Sequence, residues 1–302
     1  MKKPVYEIAA VHDLSGYGKC SLTVAIPILA VMGMQACPLA TSILSTQTSG
    51  FNNYTFFDFT DQMEKIINHW ESLNLKFDAI YTGFLGSARQ IDIILNFIER
   101  FNHEKMLIVI DPVLGDDGKL YDTIDKTIVG EMKKLVTKAN LITPNITEAA
   151  ILLGEDNYGK LSDNKIKSIL GSLADMGPEM VAITSVIAEN EKFPIVVAYD
   201  KKLNKYWKIR NDYVPASYSG TGDIFASIVT GCTLRGDTLP ISVATAISFI
   251  TEAIKDTYAC NIPPRNGIMF ERVLGMLLEP SVCCAQNSLQ VVRGEFAGLA
   301  EI

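Results

Sequence analysis

From Phe77 onward the chain alternates regularly between a short apolar, β-prone run and a longer stretch with apolar residues three and four apart. FDAIYTGF (77–84) precedes a helical stretch at 87–101, and MLIVIDP (106–112) precedes one at 123–136. NLITPN (140–145) precedes helical stretches at 147–154 and 162–176, and MVAITS (180–185) follows. The short runs do not alternate with polar residues, which suits strands buried on both faces. Strands alternating with helices predict parallel βαβ units, and so an α/β fold: a central, mostly parallel sheet with helices on both faces. VYEIAAV (5–11) and ACPLATSIL (36–44) add two strands around a helical stretch at 20–33, where Pro27 predicts a kink. FPIVVAYD and KYWKIR, within 193–210, predict antiparallel edge strands. Further helices are predicted at 58–70, 221–234, 239–257 and 266–278.

No linker, repeat or low-complexity stretch divides the 302 residues. One domain over 1–280 is expected, with a poorly ordered tail at 281–302 that lacks clear periodicity. A net charge of −7 argues against a nucleic-acid partner, although a small anion can still bind locally. The six cysteines form no CxxC pair, and no apolar run is long enough to span a bilayer. The opening MKKPVYEIAAVHD carries charge and proline where a signal peptide needs an apolar core. The reading is a soluble, reduced, cytoplasmic protein with no membrane partner.

In open parallel sheets, ligands bind beyond the carboxyl ends of the strands. The residues predicted there are His12 and Asp13, Ser45 to Thr48, Gly83 and Phe84, Asp111, Asn145 with Glu148, and Thr184 with Ser185. Each motif carries two readings. Ser219-Gly-Thr-Gly-Asp223 opens a helix whose unpaired N–H groups suit an anion. Asp223 there is either a cap or a base for a substrate hydroxyl. Asp111 before Pro112 is either a turn former or a carboxylate for Mg²⁺ beside phosphates. Thr143-Pro-Asn145-Ile-Thr-Glu148 is either a capping box or a pair facing metal-bound phosphates. His12-Asp-Leu-Ser-Gly-Tyr-Gly18 reads as a turn. Gly16-x-Gly18 resembles a dinucleotide fingerprint, but Ser21 stands where the third glycine belongs. Gly154 to Lys160 falls short of a P-loop because Leu161 replaces the Ser/Thr. His12, His69 and His103 form no metal triad, and no G-x-S-x-G elbow supports a serine hydrolase.

Together the motifs resemble the ribokinase superfamily, and within it the vitamin B6 kinase branch. Gly220-Thr-Gly-Asp223 marks the superfamily. Asp111-Pro-Val-Leu-Gly-Asp116, Tyr81-Thr-Gly-Phe84 and Leu44-Ser-Thr-Gln-Thr48 narrow it to the B6 kinases and their hydroxymethylpyrimidine kinase relatives. The resemblance runs from about residue 5 to 280. It implies a ribokinase-like fold and ATP-dependent phosphorylation of the 5′-hydroxymethyl group of pyridoxal, pyridoxine or pyridoxamine. The alternatives are hydroxymethylpyrimidine phosphorylation or dual activity. It implies Asp223 as base and Gly220, Thr221 and Gly222 as an anion hole. Asp111, Asn145, Glu148, Thr184 and Ser185 are implied at the ATP phosphates, with Asp111 and Glu148 near Mg²⁺, directly or through water. Asp13, Ser45, Thr48, Phe84 and Ser219 are implied at the vitamin. ATP, Mg²⁺, a monovalent cation and a homodimer complete the expectation. Many members carry Ser at the position of Asp13 and Tyr at that of Phe84. The pyrimidine kinases usually carry Cys at that of Asp223.

Overall fold

The computed structural model describes residues 5–48, 50–156, 158–210, 212–278 and 299–301. In chain order the first half runs β1 (Tyr6–Ser15), α1 (Leu22–Val31), β2 (Met34–Leu44), β3 (Phe56–Asp58), α2 (Thr60–Ser72), β4 (Ala79–Thr82), α3 (Ala88–Phe101), β5 (Leu107–Ile110), β6 (Gly115–Asp116) and β7 (Lys119–Leu120). It continues with α4 (Lys126–Val136), β8 (Leu141–Ile142), α5 (Ile146–Leu153), α6 (Asp163–Asp175), β9 (Met180–Val186), β10 (Ile195–Asp200), β11 (Lys205–Ile209), α7 (Thr221–Arg235), α8 (Leu239–Ala259) and β12 (Leu299–Glu301).

Among the described residues one ten-stranded sheet runs β12-β11-β10-β9-β8-β5-β4-β1-β2-β3. Its centre, from β9 to β2, is parallel, while β10, β11, β12 and β3 pair antiparallel at the edges. The uninterrupted apolar runs have a direct cause. Ala9, Ile80, Ile108, Ile142 and Val181 face one core, shared with α2, α3, α4 and α6. Their chain neighbours Ile8, Tyr81, Val109, Leu141 and Ala182 face a second core, shared with α1, α7 and α8. Burying a side chain such as Phe97 completely is worth roughly 2–3 kcal/mol, and it lies wholly inside the first core.

Helix ends follow local chemistry. Ser87, Asp125 and Ser162 cap α3, α4 and α6 through side-chain oxygens. Gly154 and Gly236 close α5 and α7 in the left-handed conformation. α1 runs through Pro27 without interruption.

Two sequence expectations are corrected. His12-Asp-Leu-Ser is not a turn but the end of β1, because His12, Asp13 and Ser15 are buried between neighbouring strands. The stretch 266–278 is not an α-helix. Gly267, at φ 78, separates the short 3-10 turns Pro264–Asn266 and Glu271–Leu277. A Cβ on Gly267 would stand 2.4 Å from the Gly18 carbonyl, so a residue with a side chain does not fit there. Most of the expected 281–302 tail lies outside the described residues, although Leu299–Glu301 pairs with β11.

The chain steps from β1 to β2 on one side, then crosses to place β4 on the other. Such a reversal opens a crevice at the carboxyl ends of β1 and β4. α1 and α7 pack together on the sheet face beneath it.

Candidate active site

Four carboxylates gather at this crevice from four places in the chain. Asp13 ends β1, Asp111 follows β5, Glu148 lies in the first turn of α5, and Asp223 lies in the first turn of α7. The first three are buried and Asp223 is half-buried. Burial pushes the Asp223 carboxyl up to about 7, the charge of Asp13 adds to this, and the Ser21 backbone N–H opposes it. Burial raises Asp111 well above the ordinary carboxylate range, the charge of Asp223 adds to it, and the Thr143 hydroxyl, donating at 3.0 Å, opposes. Burial likewise raises Glu148, with Asp111 second. Asp13 is raised by burial, against hydroxyls donated by Ser21 at 2.5 Å and Ser15 at 2.9 Å. Among the described residues no Lys or Arg charge offsets the four. The cluster therefore favours an incoming cation.

The N-terminus of α7 faces the same place. Gly220 is its N-cap, at φ 88, and a Cβ there would meet the Lys19 carbonyl at 2.2 Å. No side chain caps the helix, so Asp223 does not take the capping role; its carboxylate instead lies near the Ser21 N–H, which favours its charged form. Ile224 makes the first helical bond, to the Gly220 carbonyl at 3.0 Å. The amides of Thr221, Gly222 and Asp223 precede it and are the helix's unpaired donors. A Cβ on exposed Gly222 would enter open space. Below, Tyr81 donates its hydroxyl to the Asp223 carbonyl at 3.4 Å.

Asn145 and Glu148 form the capping box. The Asn145 side chain accepts the Glu148 N–H at 2.9 Å, and Glu148 accepts the Asn145 N–H at 2.8 Å. Glu148 also accepts the Leu114 N–H at 3.1 Å, so both its oxygens are engaged by backbone. Asn145 donates its amide to the Gly115 carbonyl, tying down the β6–β7 hairpin, and Gly118 donates to the Thr147 hydroxyl. The hairpin turns at Asp117 and Gly118, both with positive φ, a pairing suited to a tight two-residue turn.

Thr184 bridges to Asn145 and its N–H donates to the Pro144 carbonyl at 3.0 Å. With Ser185, Thr221 and Gly222 it lines one end of a cleft of about 320 Å³. The rest of the cleft is largely apolar, walled by Val214, Ala216, Phe225, Ile247, Ile250 and Ile254. Ser219 accepts the Gln47 side-chain amide at 3.2 Å, and Gln47 also donates to the Arg265 carbonyl. The 45–48 loop is thereby held against the approach to α7.

The structure thus brings Asp13, Asp111, Glu148 and Asp223 into one electrostatic cluster. It sets Asn145, Thr184, Ser185 and the Gly220–Gly222 turn at its margins. Phe84 is half-buried beyond β4, its carbonyl accepting the Thr41 hydroxyl. Ser45 is exposed and accepts the Thr55 N–H, a job in the β2–β3 connection. Thr48 is exposed beside Gln47. Sequence reasoning placed Gln47 only as part of the 45–48 stretch and missed Ser21 and Tyr121. The Tyr121 hydroxyl lies within the fields of Glu148, Asp116, Asp111 and Asp223, after burial the causes that raise it. The Asp-Gly pair of the hairpin was the signal for Tyr121; nothing local marks Ser21.

Among the described residues no three His, Cys, Asp or Glu side chains are grouped to hold a metal ion. Asp111 and Glu148 fit an ion that keeps most of its water, as Mg²⁺ does. They are buried carboxylates without a counter-charge, and Glu148 has only its remaining lone pairs to offer.

The family model for phosphomethylpyrimidine kinase matches residues 26–267. A hydroxymethylpyrimidine/phosphomethylpyrimidine kinase of Bacillus subtilis is 25% identical over 81% of this chain and 87% of its own. A Bacteroides thetaiotaomicron protein described as a putative phosphomethylpyrimidine kinase, crystallised with pyridoxal, is 45% identical with a TM-score of 0.90 over 99% of this chain and 100% of its own. A pyridoxal kinase of Lactobacillus plantarum is 29% identical with a TM-score of 0.82 over 94% of this chain and 98% of its own.

Proposed function

The chain belongs to the phosphomethylpyrimidine kinase family of the ribokinase-like superfamily, phosphotransferases with an alcohol acceptor, and on that footing we propose that it phosphorylates the 5′-hydroxymethyl group of a B6 vitamer with ATP. The observation that carries the reading is Asp223: a carboxyl raised to about 7 in the first turn of α7, at the mouth of a crevice between strand ends. A base with that value is half ionised near neutral pH and can take a proton from a primary alcohol as its oxygen bonds to phosphorus. The bond from the γ-phosphorus to the bridging oxygen breaks in the same displacement, and ADP leaves with that electron pair.

The remaining roles follow from position. The N–H groups of Thr221 and Gly222, with Gly220 setting their direction, receive the transferring phosphoryl oxygens. The apolar cleft beyond Thr184 and Ser185 takes the adenine and ribose. Asp111 and Glu148 would hold Mg²⁺, directly or through water, and the ion would neutralise phosphate charge. Asp13 and Phe84, with the 45–48 loop and Ser219, border the ring of the acceptor; Phe84 supplies an apolar face for stacking.

The B6 reading is supported by the acid at 223, since pyrimidine kinases of the family usually carry Cys there, and by the pyridoxal in the Bacteroides relative. The Bacillus relative supports hydroxymethylpyrimidine as the competing acceptor. One assay separates them: limiting ATP·Mg²⁺ with equimolar pyridoxal, pyridoxine, pyridoxamine and hydroxymethylpyrimidine, the products resolved by mass. Phosphorylated vitamer as the main product is expected. Exclusive pyrimidine phosphate, or no product, sinks the reading.

A further inference from the structure

Ser21 occupies the place where a dinucleotide fingerprint would have its last glycine, and it behaves like a glycine that kept a side chain. Its backbone lies at φ 54, ψ −128, a region glycine enters freely and other residues rarely. It is also the N-cap of α1: its carbonyl accepts the Val24 and Ala25 N–H groups at 3.0 and 2.9 Å. A serine in that position normally turns its hydroxyl onto the helix's own first-turn amides. Ser21 makes no such bond. Its hydroxyl turns instead to Asp13 at 2.5 Å, while its backbone N–H lies near enough to Asp223 to favour the charged carboxylate. The residue is buried, at 6% exposure, so the bond to Asp13 does not compete freely with water.

One residue therefore has a strained backbone, forgoes its capping bond, and acts on two carboxylates that would otherwise repel. Strain of this kind persists where the surrounding structure enforces it, and it concentrates at functional sites. We propose that Ser21 is a positioning residue, its hydroxyl on Asp13 and its N–H near Asp223 holding the two carboxylates in the relative orientation that the transfer requires. The proposal rests on the reading of Asp223 as the base.

The fold and the function pull in opposite directions at this position, which makes the proposal testable. Ser21→Gly removes the hydroxyl and relieves the backbone, so Tm should stay level or rise. Ser21→Ala removes the hydroxyl and keeps the strained geometry. Both should lower kcat about ten- to hundredfold, the scale of a modest misplacement of a reacting group, with the KM for ATP unchanged. If the effect runs through Asp13, Ser21→Ala should cost less than about threefold in an Asp13→Asn background. Full-length protein is assayed with Mg²⁺·ATP and pyridoxal, beside Asp223→Asn. Turnover retained in Asp223→Asn overturns the base assignment itself. If Asp223→Asn is inactive, the inference alone is overturned by either of two results. One is kcat within about twofold of the parent in both Ser21 variants; the other is a Ser21→Ala loss that stays undiminished in the Asp13→Asn background.

Discussion

Replacing Asp223 by Asn should destroy turnover and stabilise the empty protein. The carboxyl moves from an ordinary 3.8 to about 7 on folding, chiefly because burial strips its hydration. A group raised in the folded state contributes stability that is fully present below its unfolded value and is lost as pH rises through the folded one. At about 1.4 kcal/mol per pH unit, the ionised carboxylate costs the fold about 4 kcal/mol at about pH 8. Water still reaches a half-buried side chain, which reduces this to about 2 kcal/mol. Asn is nearly isosteric and its carbonyl can still lie near the Ser21 N–H, so the cost of ionisation is removed with little else. The variant, free of nucleotide, should melt about 4–8 °C above the parent at about pH 8. The difference should shrink towards zero at about pH 4, where both side chains are neutral. Paired thermal melts over that range are the assay, with turnover measured on the same preparations. A gain that does not change with pH, or no gain at all, refutes the argument that a buried charge sits at 223. Retained turnover refutes its role as base.

The two glycines of the α7 turn should separate fold from function. Gly220→Ala forces a left-handed Cβ onto the Lys19 carbonyl and should cost about 2 kcal/mol or more in urea denaturation. Gly222→Ala meets nothing in the protein, so Tm should hold, while kcat should fall about tenfold or more as the methyl enters the phosphoryl path. Asp111→Asn should raise the Mg²⁺ needed for half-maximal turnover about tenfold or more in a metal titration. Ala216→Trp should fill the apolar cleft and raise the KM for ATP while leaving that for the vitamer unchanged, as steady-state kinetics would show.

The alternation of apolar runs with helical periodicity already required a doubly covered sheet. A strand buried on both faces must read as Ile-Val-Ile or Val-Ala-Ile, and β5 and β9 do so because each faces a core on either side. The caps at Ser87, Asp125 and Ser162 were equally local, since a cap depends only on the residues of one helical turn. Asp111, Asn145, Glu148 and Asp223 could be picked out because each lies at a strand or helix end, and the chain order of those ends is visible. Other features were not legible. His12 and Asp13 looked like turn residues, because nothing in their chemistry announces that neighbouring strands bury them. The antiparallel strand β3 was missed in a polar stretch whose Phe56 and Phe57 remain exposed. The capping box at Asn145 proved real, yet the same Glu148 also serves the backbone of Leu114, 34 residues away. Which elements exist is a property of short-range pattern, and the sequence alone determined it. Which carboxylates meet depends on how β1, β5, α5 and α7 cross in space. Only the tertiary structure decided that Asp13 and Asp223 share the donors of Ser21, because hydrogen bonds and charge act through distance and burial, not through separation along the chain.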